Sequence, residues 1–323
     1  MSENLAKLLV TRRMPDNVTA RAKSQFDIHT NDDDVIRPMS EVLEFADGFD
    51  GILCCSSEKF SAQAIAQLPQ SVRIISTFSV GFEHIDVAAA NKRGIVVTNT
   101  PDVLTDATAD IALLCMLGAA RRAHEAQMMV REGRWNSWAT TLLLGTHMSG
   151  KRLGIYGMGR IGQAVARRAQ GFDMQVHYHN RRRVSPEDEF GATYHESLED
   201  MLRISDFLSI NAPMTPQTQG FLNAKRIALL PDGAVVVNTA RGGLVDDEAL
   251  IAALRSGKVA AAGLDVFAGE PNLNSAYVEL NNAYLLPHIG SATVETRDAM
   301  GFCCLDNLEA FFKGQACPNA LTA

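Results

Sequence analysis

The chain has 323 residues, of which 46% are hydrophobic, with a formal net charge of −7 and a pI of about 5.6. That length and apolar fraction supply more buried core than one domain usually holds. The acidic balance argues against a broad basic surface for nucleic acid, and no apolar run reaches the length of a membrane span.

Taken in chain order, "KLLVT" (7–11) reads as a strand. "DIH", "GILCC" (51–55), "RIIST" (73–77) and "GIVVTN" (94–99) follow at similar intervals, with helical stretches such as "SAQAIAQL" and "HIDVAAANKRG" between them. Short apolar runs alternating with helices predict a parallel sheet covered on both faces. One long helix is predicted over 105–127. The rhythm then starts afresh with the strand "RLGIY" (152–156), the helix "RIGQAVARRAQGF" with Ile161, Val165, Ala169 and Phe172 as its apolar positions, and the strand "MQVHY". "SLEDMLRIS" opens with a Ser-x-x-Asp capping box at Ser197 and Asp200. "DFLSIN", "GAVVVNTA", the helix "DDEALIAALRSG", "VAAAGLDVF" and "AYLLPHIG" complete the second set.

The last helical segment, "ETRDAMGFCCLDNLEAFFKG", comes after that set and is expected to return to the first domain. The prediction is therefore α/β, with two doubly wound parallel-sheet domains and an active-site cleft between them. A Rossmann dinucleotide-binding domain, 102–288, is inserted in a flavodoxin-like substrate domain formed by 1–101 and 289–323. The opening "MSENLAKLLV" lacks the charged-then-apolar layout of a secretory leader. The six cysteines, Cys54, Cys55, Cys115, Cys303, Cys304 and Cys317, form no CxxC pair. They are expected as reduced, mostly structural thiols in a cytoplasmic protein, and no metal site is predicted.

"GIYGMGRIGQAV" holds Gly157, Gly159 and Gly162 in G-x-G-x-x-G spacing, with Met158, Arg160 and Ile161 between them. The motif follows a strand and opens a helix, the context it requires. Gly157 allows a tight turn, Gly159 lets the backbone approach a pyrophosphate, and Gly162 lets helix and strand pack closely. Free N–H groups at the helix start then face the anion. A glycine-rich turn without a ligand is the alternative. At the end of the next strand an acidic residue normally binds the ribose hydroxyls of NAD. Here Asn180 stands there, followed by Arg181, Arg182 and Arg183. Nothing acidic repels a 2′-phosphate and a guanidinium is ready to bind one, so NADP(H) is expected, with NAD(H) as a possible second cofactor. Arg182 is an auxiliary candidate, and Arg183 is expected to be only solvated.

Three further segments end strands with polar groups: "VVVNTARGGLVDDEAL" with Arg241, "GLDVFAGEP" with Asp265 and Glu270, and "LLPHIGSAT" with His288. Ligands gather at such strand ends in open α/β sheets. Singly, each has an ordinary alternative: a loop-bracing arginine, a turn glutamate before proline, a capping histidine. With the glycine turn and in this order, the chain resembles the D-2-hydroxyacid dehydrogenase family over nearly its whole length.

The resemblance implies reduction of 2-oxo acids by hydride transfer from a nicotinamide. It implies His288 as acid/base, since an imidazole's ordinary range suits proton transfer. It implies Glu270 as the carboxylate that orients the ring, and Arg241 as the fork that binds an α-keto carboxylate and polarises its carbonyl. In "ISTFSVGFEHID" it implies that the loop of Ser79, Val80 and Gly81 holds the substrate carboxylate by backbone N–H groups. Cofactor-side roles are implied for Thr108, Thr218, Thr239, Ala240, Gly290 and Asp265. Thr108 could equally bond its own helix backbone, and Asp265 could be a buried structural carboxylate. Many relatives carry His-x-Pro where Asn211, Ala212 and Pro213 stand, so only a backbone role toward the cofactor is implied for that loop. Many also have an acidic residue where Ala268 stands.

"ISTFSVG", "TPDVLTDATAD" and "RWNSWATTLLLG" look most like the glyoxylate/hydroxypyruvate reductase branch. That branch implies glyoxylate and hydroxypyruvate as substrates. It also implies a homodimer in which Trp138 narrows the neighbour's pocket, interface packing being the alternative. Phenylpyruvate-like acids and 2-ketogluconate are rival substrates on the same fold. Phosphite is a weaker rival, and formate is disfavoured because formate enzymes of this fold have Gln where Glu270 stands. A dinucleotide-sensing corepressor is the rival of another class. Its mark is an added docking segment or long tail, whereas this chain stops at "GQACPNALTA".

Overall fold

The computed structural model describes residues 5–322; residues 1–4, which begin the "MSENLAKLLV" stretch, and residue 323 lie outside the described residues. The chain forms two compact units, one running to Leu104 and resuming at Ala292, the other Thr105–Ser291. These junctions fall three residues beyond the sequence-based boundaries at 101/102 and 288/289.

In unit 1, β1 (Lys7–Val10), α1 (Asp16–Gln25), β2 (Asp27–His29), α2 (Met39–Phe45), β3 (Gly51–Cys54), α3 (Ala62–Gln67), β4 (Ile74–Thr77), α4 (Val87–Lys92) and β5 (Val96–Thr98) alternate along the chain. Unit 2 follows with α5 (Thr105–Ala120), α6 (Ala123–Arg131), β6 (Arg152–Tyr156), α7 (Arg160–Gln170), β7 (Gln175–His179), β8 (Thr193–Tyr194) and α8 (Leu198–Ile204). It continues through β9 (Phe207–Ile210), α9 (Ala224–Leu229), β10 (Ala234–Asn238), α10 (Asp247–Ser256), β11 (Val259–Leu264) and β12 (Ala283–Leu285). The chain then returns to unit 1 through α11 (Val294–Phe312) and β13 (Ala320–Leu321).

The unit 1 sheet has the order β13-β5-β4-β3-β1-β2. It is parallel except for β13, whose Ala320 pairs antiparallel with Thr98 of β5. No sequence pattern announced β13, because two residues are too short to show a period of two. The unit 2 sheet has the order β12-β11-β10-β9-β6-β7-β8 and is parallel throughout. These are the two doubly wound orders, and in unit 2 the direction of winding reverses between β6 and β9, where such sheets bind dinucleotides.

Both faces of each sheet are covered, which is why the central strands read as unbroken apolar runs. In β10, Val235 and Val237 enter the core with α5 and α7, while Ala234 and Val236 enter the opposite core with α8 and α10. In α7, Val165 and Ala169 lie in the core as the apolar spacing predicts and Ile161 packs at its margin; Phe172, expected as the helix's last apolar position, packs there from the turn two residues beyond the helix end.

Two local expectations need correction. The predicted 105–127 helix is two helices, because Arg122 takes the left-handed conformation with φ +53° and the chain turns there. Neither Gly nor Pro marks that break, so the sequence concealed it. The Ser197 box is half formed: Ser197 accepts from the Asp200 N–H at 3.2 Å, but the Asp200 carboxylate pairs with Arg203 at 2.8 Å instead of reaching back. Among the described residues no helix is long and apolar enough to cross a membrane.

Candidate active site

The glycine turn sits between β6 and α7, at the point where the unit 2 sheet reverses its winding. Gly157 has φ +99°, a conformation L side chains rarely adopt, and a Cβ there would lie 2.6 Å from the Ala212 nitrogen. The Asn211–Pro213 loop therefore lies directly against the turn. A Cβ on Gly162 would lie 2.2 Å from the Gly157 carbonyl oxygen, so the closeness of helix to strand depends on glycine. Over Gly159, by contrast, nothing lies within 4 Å of such an atom. That open space and the N–H groups of Gly159, Ile161 and Gly162, which donate to nothing among the described residues, together fit a pyrophosphate. Two buried polar atoms at neighbouring strand ends, Asn211 Oδ1 and Thr239 Oγ1, have no hydrogen-bond partner among the described residues and fit a polar ligand there. Arg160 and Ile161 open α7, Met158 is buried in the core, and Thr218 closes its own loop by donating to the Pro213 carbonyl at 2.8 Å.

Asn180, the first residue past β7, does more than follow the strand. Its Oδ1 accepts the Met158 N–H at 2.7 Å, tying the second strand's end to the glycine turn. Arg181 and Arg182 are exposed beside it. Arg183, expected to be only solvated, instead forks onto Glu189, Nε to Oε1 at 2.6 Å and Nη2 to Oε2 at 2.9 Å. Tyr178 Oη also donates to Glu189 Oε1, at 2.7 Å. The Arg183 bond first, then that of Tyr178, holds the Glu189 carboxyl down at about 2. The triplet thus presents two arginines outward and locks the third.

Arg241, Glu270 and His288 come from loops after β10, β11 and β12. The first two loops pack backbone to backbone: a Cβ on Gly242 would lie 1.8 Å from the Phe267 carbonyl carbon. Asn238 braces the Arg241 loop, its Nδ2 donating to the Arg241 carbonyl at 2.9 Å and its Oδ1 accepting the Ala240 N–H at 3.0 Å. Glu270 Oε1 accepts the Phe267 N–H at 2.7 Å, and Oε2 lies 2.7 Å from His288 Nδ1. Burial pulls the Glu270 carboxyl up, but the His288 bond and charge, the Phe267 N–H and the Arg241 charge outweigh it and hold the group below the usual carboxylate range. An ionised carboxylate only accepts, so Nδ1 carries the proton that points at Glu270. His288 Nε2 has no partner among the described residues and is exposed.

His288 has φ +54°, unusual for a residue with a Cβ. The loop is held by Asp265, 1% exposed, whose Oδ1 accepts from the Ile289 N–H at 2.7 Å and whose Oδ2 accepts from the Gly290 N–H at 2.8 Å. Both carboxylate oxygens thus bond the His288 loop. Burial raises the Asp265 pKa against the opposing pull of those two N–H groups and His288. A Cβ on Gly290 would lie 3.2 Å from Asp265 Oδ2 and 3.5 Å from Thr108 Oγ1, which groups these three. Asn238 and Phe267 were missed by sequence reasoning; the Asn ending "VVVN" was the only available hint.

In unit 1, Ser79, Val80 and Gly81 form the turn after β4. All three of their carbonyls are bonded within the unit: Ser79's accepts from the Thr100 N–H at 3.0 Å, Val80's from Asn99 Nδ2 at 2.8 Å, Gly81's from Ser79 Oγ at 2.6 Å. The N–H groups of Val80 and Gly81 donate to nothing among the described residues. Bonded acceptors and unengaged donors make the turn suited to an anion. Trp138 lies elsewhere in unit 2, on the segment between α6 and β6, and is 78% exposed.

A winding-reversal glycine turn and a His–Glu pair at neighbouring strand ends define a dinucleotide-dependent α/β oxidoreductase. A family model described as "D-isomer specific 2-hydroxyacid dehydrogenase, NAD binding domain" matches residues 113–290. Glycerate dehydrogenase of Hyphomicrobium methylovorum is 46% identical over 310 residues, 95% of this chain and 96% of that protein. Glyoxylate reductase of Thermococcus litoralis is 42% identical over 318 residues, covering 97% and 96%. The structure of the NADPH-dependent glyoxylate/hydroxypyruvate reductase of Sinorhizobium meliloti, in complex with NADP and malonate, matches with a TM-score of 0.87 and 34% identity over 98% of this chain and 97% of that one. The chain belongs to the D-isomer specific 2-hydroxyacid dehydrogenases, NAD(P)-dependent oxidoreductases, in their glyoxylate/hydroxypyruvate reductase-like branch.

Proposed function

We propose that this chain is an NADPH-preferring reductase of small 2-oxo acids, glyoxylate and hydroxypyruvate foremost, that forms D-2-hydroxy acids. The observation that carries the reading is the His288–Glu270 pair, with Nδ1 engaged at 2.7 Å and Nε2 unengaged. The nicotinamide, when bound, supplies the hydride to the carbonyl carbon. His288 delivers a proton from Nε2 to the carbonyl oxygen, and Glu270 orients the ring through Nδ1. Arg241 binds the 2-oxo acid through its planar fork, and the Val80 and Gly81 N–H groups hold the carboxylate. Gly157–Gly162, with the Asn211–Pro213 loop, holds the dinucleotide, and Arg181, with Arg182 beside it, binds the 2′-phosphate. The NADPH dependence named for the Sinorhizobium meliloti relative supports this choice, as does the absence of an acidic residue at 180–183.

The test is cofactor oxidation followed spectrophotometrically with a panel of 2-oxo acids. NADPH oxidation by glyoxylate and hydroxypyruvate is expected; none with any 2-oxo acid overturns the reductase. Arg181→Ala is expected to raise KM for NADPH by about tenfold and to leave KM for NADH nearly unchanged, as for loss of one charge-assisted phosphate contact. Equal effects on both cofactors return the triplet to a solvated charge run.

The same reading includes a homodimer. The stretch from α6 to β6 exposes Val130, Trp135, Trp138 and Leu144, and α6 has no buried residue, so an apolar face lacks cover among the described residues. Sedimentation equilibrium of the purified chain is expected to give twice the monomer mass. A monomer at working concentration overturns it.

A further inference from the structure

The carboxylate turn is braced from beneath by a chain of side chains to which no role has been given. His84 Nε2 lies 2.9 Å from Thr77 Oγ1, Thr77 Oγ1 lies 2.9 Å from Ser79 Oγ, and Ser79 Oγ donates to the Gly81 carbonyl at 2.6 Å. The direction of the chain follows from counting protons. A carbonyl oxygen only accepts, and a serine hydroxyl has one proton, so Ser79 gives its proton to Gly81 and accepts from Thr77. Thr77 then has no proton left and accepts from His84, which must carry hydrogen on Nε2. Thr77 is fully buried, so water cannot replace a lost bond.

We propose that Thr77 and His84 are positioning residues for substrate binding. Their directional relay, running to Ser79 Oγ and the Gly81 carbonyl, fixes the turn in the form that leaves the Val80 and Gly81 N–H groups free for a 2-oxo acid's carboxylate. The relay supplies the third of three ties on the turn. Thr100 and Asn99, just beyond β5, secure the Ser79 and Val80 carbonyls, and the relay secures that of Gly81. Without the Thr77 donor, Ser79 Oγ is no longer fixed on the Gly81 carbonyl, and the Gly81 peptide loosens and can turn a carbonyl oxygen toward the anion's position. The inference rests on the reading that this turn binds the substrate carboxylate.

The test is steady-state kinetics of the full chain with glyoxylate and NADPH. Thr77→Val, which keeps shape and removes the hydroxyl, is expected to raise KM for glyoxylate about tenfold, with kcat and KM for NADPH little changed. Thr77→Ser is expected to restore the wild-type KM. His84→Leu should follow Thr77→Val, and His84→Gln, which can still donate, should follow the wild type. Should Thr77→Val fail to fold, the two His84 variants decide alone. Val80→Pro, which deletes one N–H, separates the two claims. A raised KM in Val80→Pro with wild-type values in Thr77→Val and His84→Leu overturns the relay alone. An unchanged KM in Val80→Pro overturns the carboxylate reading beneath it. Parallel changes in kcat and both KM values, unrescued by Thr77→Ser, overturn the positioning role in favour of bulk packing.

Discussion

His288→Asn lowers kcat for 2-oxo acid reduction by about 10²- to 10⁴-fold, the range a positioned general acid supplies, and leaves dinucleotide affinity nearly unchanged. Asparagine is the right replacement because residue 288 sits at φ +54°. Asn tolerates that region, whereas Ala adds backbone strain of its own and confounds the readout. The Asp265 bonds to the Ile289 and Gly290 N–H groups do not involve the side chain at 288, so the loop stays in place. What disappears is the proton at Nε2 and the imidazole that Glu270 orients. Steady-state kinetics and a direct dinucleotide titration on the same preparation separate the two effects. An unchanged kcat removes His288 from the proton step, and a parallel loss of cofactor binding makes it a scaffold residue.

Arg241→Lys lowers kcat/KM by about 100-fold, equivalent to about 2.7 kcal/mol of transition-state stabilisation. Lysine keeps the charge and loses the planar fork, so the substitution tests geometry rather than sign. Asn238 holds this loop through main-chain groups, the Arg241 carbonyl and the Ala240 N–H, and those contacts survive the change. The Arg241 charge also helps keep Glu270 below the usual carboxylate range, and lysine preserves most of that effect. The loss should therefore appear with substrate and not in dinucleotide affinity. A variant with full kcat/KM shows that a point charge suffices and rules out bidentate recognition.

Much of this architecture was legible because its signals are local. Strands such as β6 and β10 announce themselves by apolar runs of the right length, since both faces of a parallel sheet are buried. The glycine turn is legible because its spacing is set by the backbone between one strand and the next helix. Arg241, Glu270 and His288 stand at strand ends, so their order along the chain mirrors the order β10, β11, β12 at the edge of the sheet.

Chain order could place these groups on neighbouring loops but could not say what each touches. Arg183 carries the same charge as Arg181 and Arg182, and only the return of the chain through Glu189 sets it apart. Asn180 was expected on the ribose side, and nothing in the chain order announced that its Oδ1 also reaches back 22 positions to the Met158 N–H. Asp265 holds N–H groups 24 and 25 positions away, a contact no periodicity encodes. The break at Arg122 is likewise invisible in a stretch of good helix formers. Periodicity and motif spacing report how a segment is made, because they reflect backbone geometry over a few residues. The partner of a carboxylate, an amide or a guanidinium is chosen by folding, which brings distant donors and acceptors together where water is excluded and leaves each buried polar group to bond whatever lies within reach.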